Sequence, residues 1–168
     1  DGSYIIAVGD AGRIFRSVNG GNTWANYTEP SANFKSVYTL GNDVWLTVDN
    51  GKVYKSSKTT TVLTSYNSGV TTSLNSVYFI DGSNGFVCGD NGVIMKSVNG
   101  GTVWTPSNTG VGSEKLNSIY FKDATNGVVV GNSGKVYITA NGGSSWTAEA
   151  APSVRNLLDV KYFNDGIA

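Results

Sequence analysis

Few side chains in this sequence could do chemistry, and most of those recur at fixed intervals. There is no histidine among the 168 residues, which removes Ser-His-Asp and Cys-His nucleophile arrangements and every histidine-containing metal site. A single cysteine, Cys88, rules out thiolate zinc clusters and an internal disulfide; within Phe86-Val87-Cys88 it reads as a small buried hydrophobe. Paired carboxylates could hydrolyse a glycosidic bond. However, Asp10, Asp49 and Asp90 stand at equivalent turn positions and are explained by the turns, while Glu29, Glu114 and Glu149 fall between repeats. The exception is Asp159, in a strand-like run where its equivalents are Ser36, Ser76 and Ser118. It is expected to face a central channel with Lys161 as its partner. The three arginines, Arg13, Arg16 and Arg155, could form a small basic patch. No phosphate-cradling Gly-x-x-x-x-Gly-Lys-Ser/Thr loop is present. The reading is of no catalytic residue, no metal and no cofactor.

Composition narrows the classes further. Lys plus Arg and Asp plus Glu number 12 each, so no long-range field steers the chain to nucleic acid. No run reaches the roughly 20 apolar residues that span a bilayer, and no membrane insertion is expected. With 22 glycines and only 14% charged residues, the profile is of many short strands and tight polar turns. It resembles secreted, periplasmic or lumenal, or virion-surface proteins. The sequence opens on Asp1, without a signal peptide, and is read as a processed, trimmed or partial product.

What positions these residues is a repeat. The segment Gly9 to Trp24 aligns with Gly89 to Trp104 and with Gly131 to Trp146; Val48 to Leu63 is a fourth, eroded copy. The anchor positions Ser17, Ser56, Ser97 and Thr139 are spaced by 39, 41 and 42 residues. Ahead of each block lies a run of β-branched and aromatic residues: Phe34–Tyr38, Leu74–Phe79, Leu116–Phe121 and Leu157–Phe163. Between run and block are the apolar stretches Ile5–Val8, Val44–Thr47, Phe86–Cys88 and Val128–Val130, as expected of strands covered on both faces. Asp-x-Gly and Asn-Gly turns supply the positive φ of tight hairpins. Each unit therefore reads as four antiparallel strands, A to D. A meander of about 40 residues, repeated, is a propeller blade.

The turn between strands C and D carries the clearest signature. Ser17, Asn19, Gly20, Gly21 and Trp24 match Ser97, Asn99, Gly100, Gly101 and Trp104, and again Thr139, Asn141, Gly142, Gly143 and Trp146. In the second unit Lys58-Thr59-Thr60 replaces Asn-Gly-Gly, and Leu63 replaces Trp. This pattern resembles an Asp-box (BNR) motif with Asn in place of the usual Asp. The surrounding phrase is similar to the blades of Ycf48-like proteins, which are photosystem II assembly and stability factors and their relatives. The box reads as structural: the Asn accepts turn amide protons, Gly-Gly permits the left-handed geometry, and Trp folds into the blade-to-blade core. Asn for Asp also weakens any case for calcium. The resemblance implies a non-enzymatic scaffold that presents loops to a protein or glycan partner, as Ycf48-like proteins chaperone membrane-protein assembly. The alternative is a sialidase-like or other glycoside hydrolase, since sialidases share the box. Those enzymes use three arginines spread over several blades, whereas Arg13 and Arg16 lie in one.

The expectation is thus an all-β chain in a single propeller domain over 1–168, with blades at 1–30 plus 155–166, 31–70, 71–112 and 113–154. The terminal strand A completes the first blade, or the chain is a fragment of a larger propeller. A homo-oligomer, two copies forming an eight-bladed ring, ranks behind a closed or fragmentary single chain. Binding is expected at Arg13, Arg16, Arg155 and Asp159. Among the aromatics, Tyr54 and Tyr137 are read as packing rather than ligand-stacking, with Tyr27 and Tyr66 as further candidates. Asn26-Tyr27-Thr28 is a glycosylation sequon, relevant only in a eukaryotic secretory setting.

Overall fold

The computed structural model describes residues 3–150 and 153–162. The expected turns at Asp1-Gly2 and beyond Phe163 lie outside the described residues. Among the described residues fifteen strands form four antiparallel meanders. The first has β1 (Ile5–Val8), β2 (Arg13–Ser17) and β3 (Ala25–Thr28). The second has β4 (Phe34–Leu40), β5 (Asp43–Val48), β6 (Lys52–Ser57) and β7 (Thr64–Asn67). The third has β8 (Leu74–Phe79), β9 (Gly85–Gly89), β10 (Ile94–Ser97) and β11 (Thr105–Pro106). The fourth has β12 (Leu116–Phe121), β13 (Gly127–Gly131), β14 (Val136–Thr139) and β15 (Thr147–Glu149). This is the expected β-propeller array, with strands A, B, C and D in sequence order within each complete sheet.

The core lies between blades, not within them. Three apolar clusters each join neighbouring sheets: Ile14 with Phe34, Leu46 and Tyr54; Trp45 and Val53 with Phe79, Met95 and Trp104; Phe86, Cys88 and Ile94 with Phe121, Tyr137 and Trp146. That is why strands B of the second and third blades, β5 and β9, are buried along nearly their whole length, since each has a blade on either side. Tyr54 and Tyr137 are buried in these clusters, as packing requires. Strand A of the second, third and fourth blades carries a register shift at its start, between Phe34 and Ser36, Leu74 and Ser76, and Leu116 and Ser118.

The turn between strands B and C holds consecutive blades in place. At Gly12 φ is +69°, and a Cβ there would lie 1.9 Å from the Glu29 carbonyl oxygen. Only glycine lets the linker to the next blade pass that close. The amide of Glu29 donates to the Gly12 carbonyl at 2.9 Å, and Gly51 receives Ser68 in the same way.

One expectation changes at the chain's end. Among the described residues the first sheet has three strands, and no fourth strand lies beside β1. Leu157–Tyr162 forms no ladder with any strand; its bonds run to the fourth blade. Leu157 donates its amide to the Gly131 carbonyl at 3.0 Å, and Asn117 Nδ2 donates to the Leu157 carbonyl at 2.8 Å. Asn75 Nδ2 makes the same 2.8 Å bond to Leu116, the first residue of strand A in the next blade. The terminal run therefore stands where the strand A of a following blade would stand.

Candidate functional site

The Asp-box turns concentrate side-chain hydrogen bonds. In the third blade Ser97 Oγ accepts the Gly101 amide at 2.9 Å, and Asn99 Oδ1 accepts both the Ser97 hydroxyl and the Val103 amide at 2.9 Å. The first and fourth blades repeat this bond for bond: Ser17 with Gly21, Asn19 with Thr23, Thr139 with Gly143, and Asn141 with Ser145. The first glycine of each box donates to the A–B turn of its own blade, Gly20 to Ser3, Gly100 to Ser83 and Gly142 to Thr125, each at 2.9 Å. The indole N–H groups of Trp24 and Trp104 donate to Gly21 and Gly101, and that of Trp146 reaches Ser107 at 2.7 Å. These groups hold turns and have little capacity left for a ligand.

The residue preceding each box anchor does something the sequence reading missed. Lys96 Nζ donates to the Gly142 carbonyl of the next blade's box at 2.8 Å. Lys55, at the same repeat position, reaches toward Gly100 of the third blade and lies 5.2 Å over the Trp45 ring. Arg16, the third equivalent, donates to the carbonyls of Lys58 and Thr60 in the second blade's eroded turn. Arg16 and Lys96 thus tie the first and third blades to the C–D turn of the next, while Lys55 ion-pairs with Asp43 of its own blade at 3.2 Å. An arginine, with its forked donors, serves where the regular turn is gone. The signal was available: Arg16, Lys55 and Lys96 align immediately before Ser17, Ser56 and Ser97.

This geometry divides the expected basic patch. Arg13 and Arg16 are three residues apart on β2 and so project from opposite faces. Arg13 is exposed, whereas Arg16 is half-buried between the first and second blades with Tyr4 beneath it at 5.2 Å. Arg155 is exposed in the segment that follows the fourth blade. Arg16 forms one wall of a rim groove of about 380 Å³, with Val18, Thr23, Tyr27, Thr59 and Thr61.

Asp159 lies on the inner row formed by successive A strands. It accepts the Ser118 hydroxyl at 2.7 Å and remains exposed. It does not pair with Lys161, whose amino group instead lies 5.3 Å over the Tyr120 ring. Next to it, Tyr38, Tyr78 and Tyr120 form a ladder with ring centroids 5.0 and 4.7 Å apart. Tyr38 donates to the Phe79 carbonyl at 2.9 Å. Burial pushes the Tyr38 and Tyr78 hydroxyls above the ordinary phenol range, and at Tyr78 the neighbouring phenols add to this. The signal for this ladder is the repeated Val-Tyr, Val-Tyr and Ile-Tyr pair of strand A.

Three carboxylates, Asp81, Glu114 and Asp123, are held in their charged form. Asp81 accepts the Ser83 and Asn84 amides at 2.7 Å, and Asp123 accepts the Thr125 and Asn126 amides at 2.8 Å. Hydrogen bonds from Asn84 and Asn126, side chain first, lower both pKa values. Glu114 is lowered by a bond from its own backbone amide and then by Lys135. Glu149, expected in a linker, instead belongs to β15, which extends through it. Among the described residues no group of three or more acidic, cysteine or histidine side chains could hold a metal ion. Cys88 is fully buried, and burial raises its thiol pKa.

Against known proteins, residues 56–152 match the profile of a family described as photosynthesis system II assembly factor YCF48. None of the curated proteins matches. YCF48 from Cyanidioschyzon merolae superposes with a TM-score of 0.78 at 15% identity, over 96% of this chain and 58% of that one. An ancestral GH74 enzyme superposes at 0.74 and 19% identity, over 91% of this chain and 23% of the enzyme. A structure of YCF48 bound to D1 peptide gives 0.54 at 12% identity, over 89% and 79%. At these identities the superpositions establish the fold, and the chain spans little more than half of the first relative.

Proposed function

The chain belongs to the photosystem II assembly factor YCF48 family, and from that premise we propose that it is a non-catalytic scaffold that binds a protein partner. The observation that carries this reading is the family match across residues 56–152, supported by a solved member in complex with a D1 peptide. The site chemistry is consistent with it. A glycoside hydrolase needs a carboxyl group whose pKa is raised to act as general acid. Here Asp81, Glu114 and Asp123 are all held below the usual carboxylate range, so none of the three suits that role. The GH74 likeness therefore supports the shared architecture more than a shared reaction.

Contact with the partner is assigned to the exposed side chains Arg13, Arg155 and Asp159 and to the rim groove above Arg16. Arg16 itself shapes that groove, because its donors already serve the Lys58 and Thr60 carbonyls. A single propeller domain in a lumenal or periplasmic compartment fits the family better than a virion surface. The direct test is fluorescence polarisation with a labelled D1 peptide. Saturable binding that weakens in Arg13→Ala or Asp159→Ala supports the assignment. No binding, together with turnover of fluorogenic sialosides or other glycosides, would overturn it in favour of the hydrolase.

A further inference from the structure

Three tyrosines stand one per blade on the innermost strands of the three complete sheets. Tyr38, Tyr78 and Tyr120 occupy the same position of β4, β8 and β12. Their ring centroids lie 5.0 and 4.7 Å apart. The hydroxyls meet as well, since the phenol of Tyr78 hydrogen-bonds with those of both Tyr38 and Tyr120. Each of these contacts crosses a blade boundary, where the A strands share no ladder. Packing alone does not ask for a hydroxyl here: the next residues along, Phe79 and Phe121, fill the core between blades as plain rings. All three tyrosines are half-buried, so a small reagent reaches them while the strands hold them side by side. Other tyrosines are differently placed. Tyr54 meets Phe34 edge-on, and Tyr137 gives its hydroxyl to Glu114. Among the described residues the ring contacts between tyrosines are those of this row, which Tyr162 continues at 6.0 Å from Tyr120.

From this contact of phenols across blade boundaries we propose that the Tyr38–Tyr78–Tyr120 row is an oxidative modification site, where a one-electron oxidant such as a peroxide-derived radical joins neighbouring blades through dityrosine. Each of two adjacent phenols gives one electron to the oxidant and its hydroxyl proton to water. The two phenoxyl radicals then form one C–C bond between ring carbons ortho to the oxygens. The hydrogens on those carbons shift to oxygen and restore both phenols, so two electrons and two protons leave in all. Hydroxyls in contact bring the flanking ortho carbons together, and coupling needs no diffusion of one ring to the other. A bond from Tyr38 to Tyr78 closes a loop of about 40 residues, which restricts the unfolded chain and favours the folded one. It would clamp the second blade to the third at the end where no ladder joins them.

The test is to irradiate the dilute, folded chain with ruthenium tris-bipyridine and persulfate, then digest it with trypsin. Cleavage after lysine leaves Tyr38, Tyr78 and Tyr120 on separate peptides, 36–52, 59–96 and 116–122. The expected product is 59–96 joined to 36–52 or to 116–122, lighter than the sum of its parts by two hydrogen atoms. It should come from chains that still run singly on a denaturing gel, and fragmentation should place the link at Tyr78 and not at Tyr66 of the same peptide. Tyr78→Phe keeps the ring but removes a partner from both contacts, so most of the blue dityrosine fluorescence should be lost; Tyr66→Phe should keep it. Four results overturn the proposal. These are no dityrosine, dityrosine only between chains, a link that bypasses Tyr78, and fluorescence unchanged in Tyr78→Phe. The peptide map is read on the unaltered chain, so it decides the matter even where the variant fails to fold. Partner binding is read separately, by the peptide titration.

Discussion

Replacing a box tryptophan tests whether the motif acts through its turn or through the interface between blades. Trp24 and Trp146 occupy the same motif position, and each indole N–H donates to a backbone carbonyl, at 3.0 and 2.7 Å. They differ in burial: Trp146 is 3% exposed and meets Phe121 edge-on at 5.9 Å, whereas Trp24 is 47% exposed. Truncating a buried tryptophan to alanine costs about 3–5 kcal/mol through lost transfer energy and the cavity left behind. The Ser107 carbonyl, buried and deprived of its donor, adds about 1 kcal/mol or more. At Trp24 roughly half the ring is already in water and the freed carbonyl is rehydrated, so about 1–2 kcal/mol is expected. The gap of about 3 kcal/mol corresponds to roughly 6–12 °C in melting temperature for a chain of this size. Urea and thermal titrations of Trp24→Ala and Trp146→Ala, at the lowest workable concentration so that association does not enter, measure it. Equal losses would refute the reasoning, because they would place the motif's stabilisation in the turn and not in the blade interface.

Three further outcomes follow from the same geometry. Lys96→Met, which removes the 2.8 Å bond to the Gly142 carbonyl, should cost about 1–2 kcal/mol in urea titrations, while Ile138→Lys, at the equivalent position with no box beyond it, should be near neutral. Gly12→Ala should abolish folding, judged by lost near-ultraviolet dichroism, because the methyl would meet the Glu29 carbonyl at 1.9 Å. Gly20→Ala, at the same φ of +69° but with open space around it, should cost only about 1 kcal/mol. The lowered pKa values of Asp81 and Asp123 give stability that is complete above the ordinary aspartate range and lost as pH falls through their folded-state values. Asp81→Asn together with Asp123→Asn should flatten the acid side of a melting-temperature profile between pH 2 and 5, and an unchanged slope would show that the turns do not favour the charged form.

The repeat made the fold legible because each blade must solve the same two problems, turning the chain tightly and covering both faces of strand B. Leu74–Phe79 and Leu116–Phe121 are strands with the boundaries their composition suggested, since β-branched and aromatic residues packed on both sides leave little freedom in where a ladder starts. What the sequence hid were relations between blades. Arg16 looked like a binding residue because an arginine in a chain with few charges invites that reading, yet its donors go to backbone carbonyls a blade away, and only the alignment of Arg16 with Lys55 and Lys96 could have shown it. The supposed pairing of Asp159 with Lys161 failed for a related reason. Spacing of two along a strand puts both on one side, but neighbouring A strands offered Ser118 to one and the Tyr120 ring to the other. Of the four side chains that looked functional, the blade interface thus consumes Arg16 and engages one oxygen of Asp159. What the interface leaves over is Arg13, Arg155, the free face of Asp159 and the rim where the second blade has lost its Asn-Gly-Gly turn, and the proposed partner contact is assigned there. Erosion of that one box fits the same logic: Arg16 secures the turn from the neighbouring blade, and Thr59, still bonded to Ser57 at 3.0 Å, lines a groove there with Thr61.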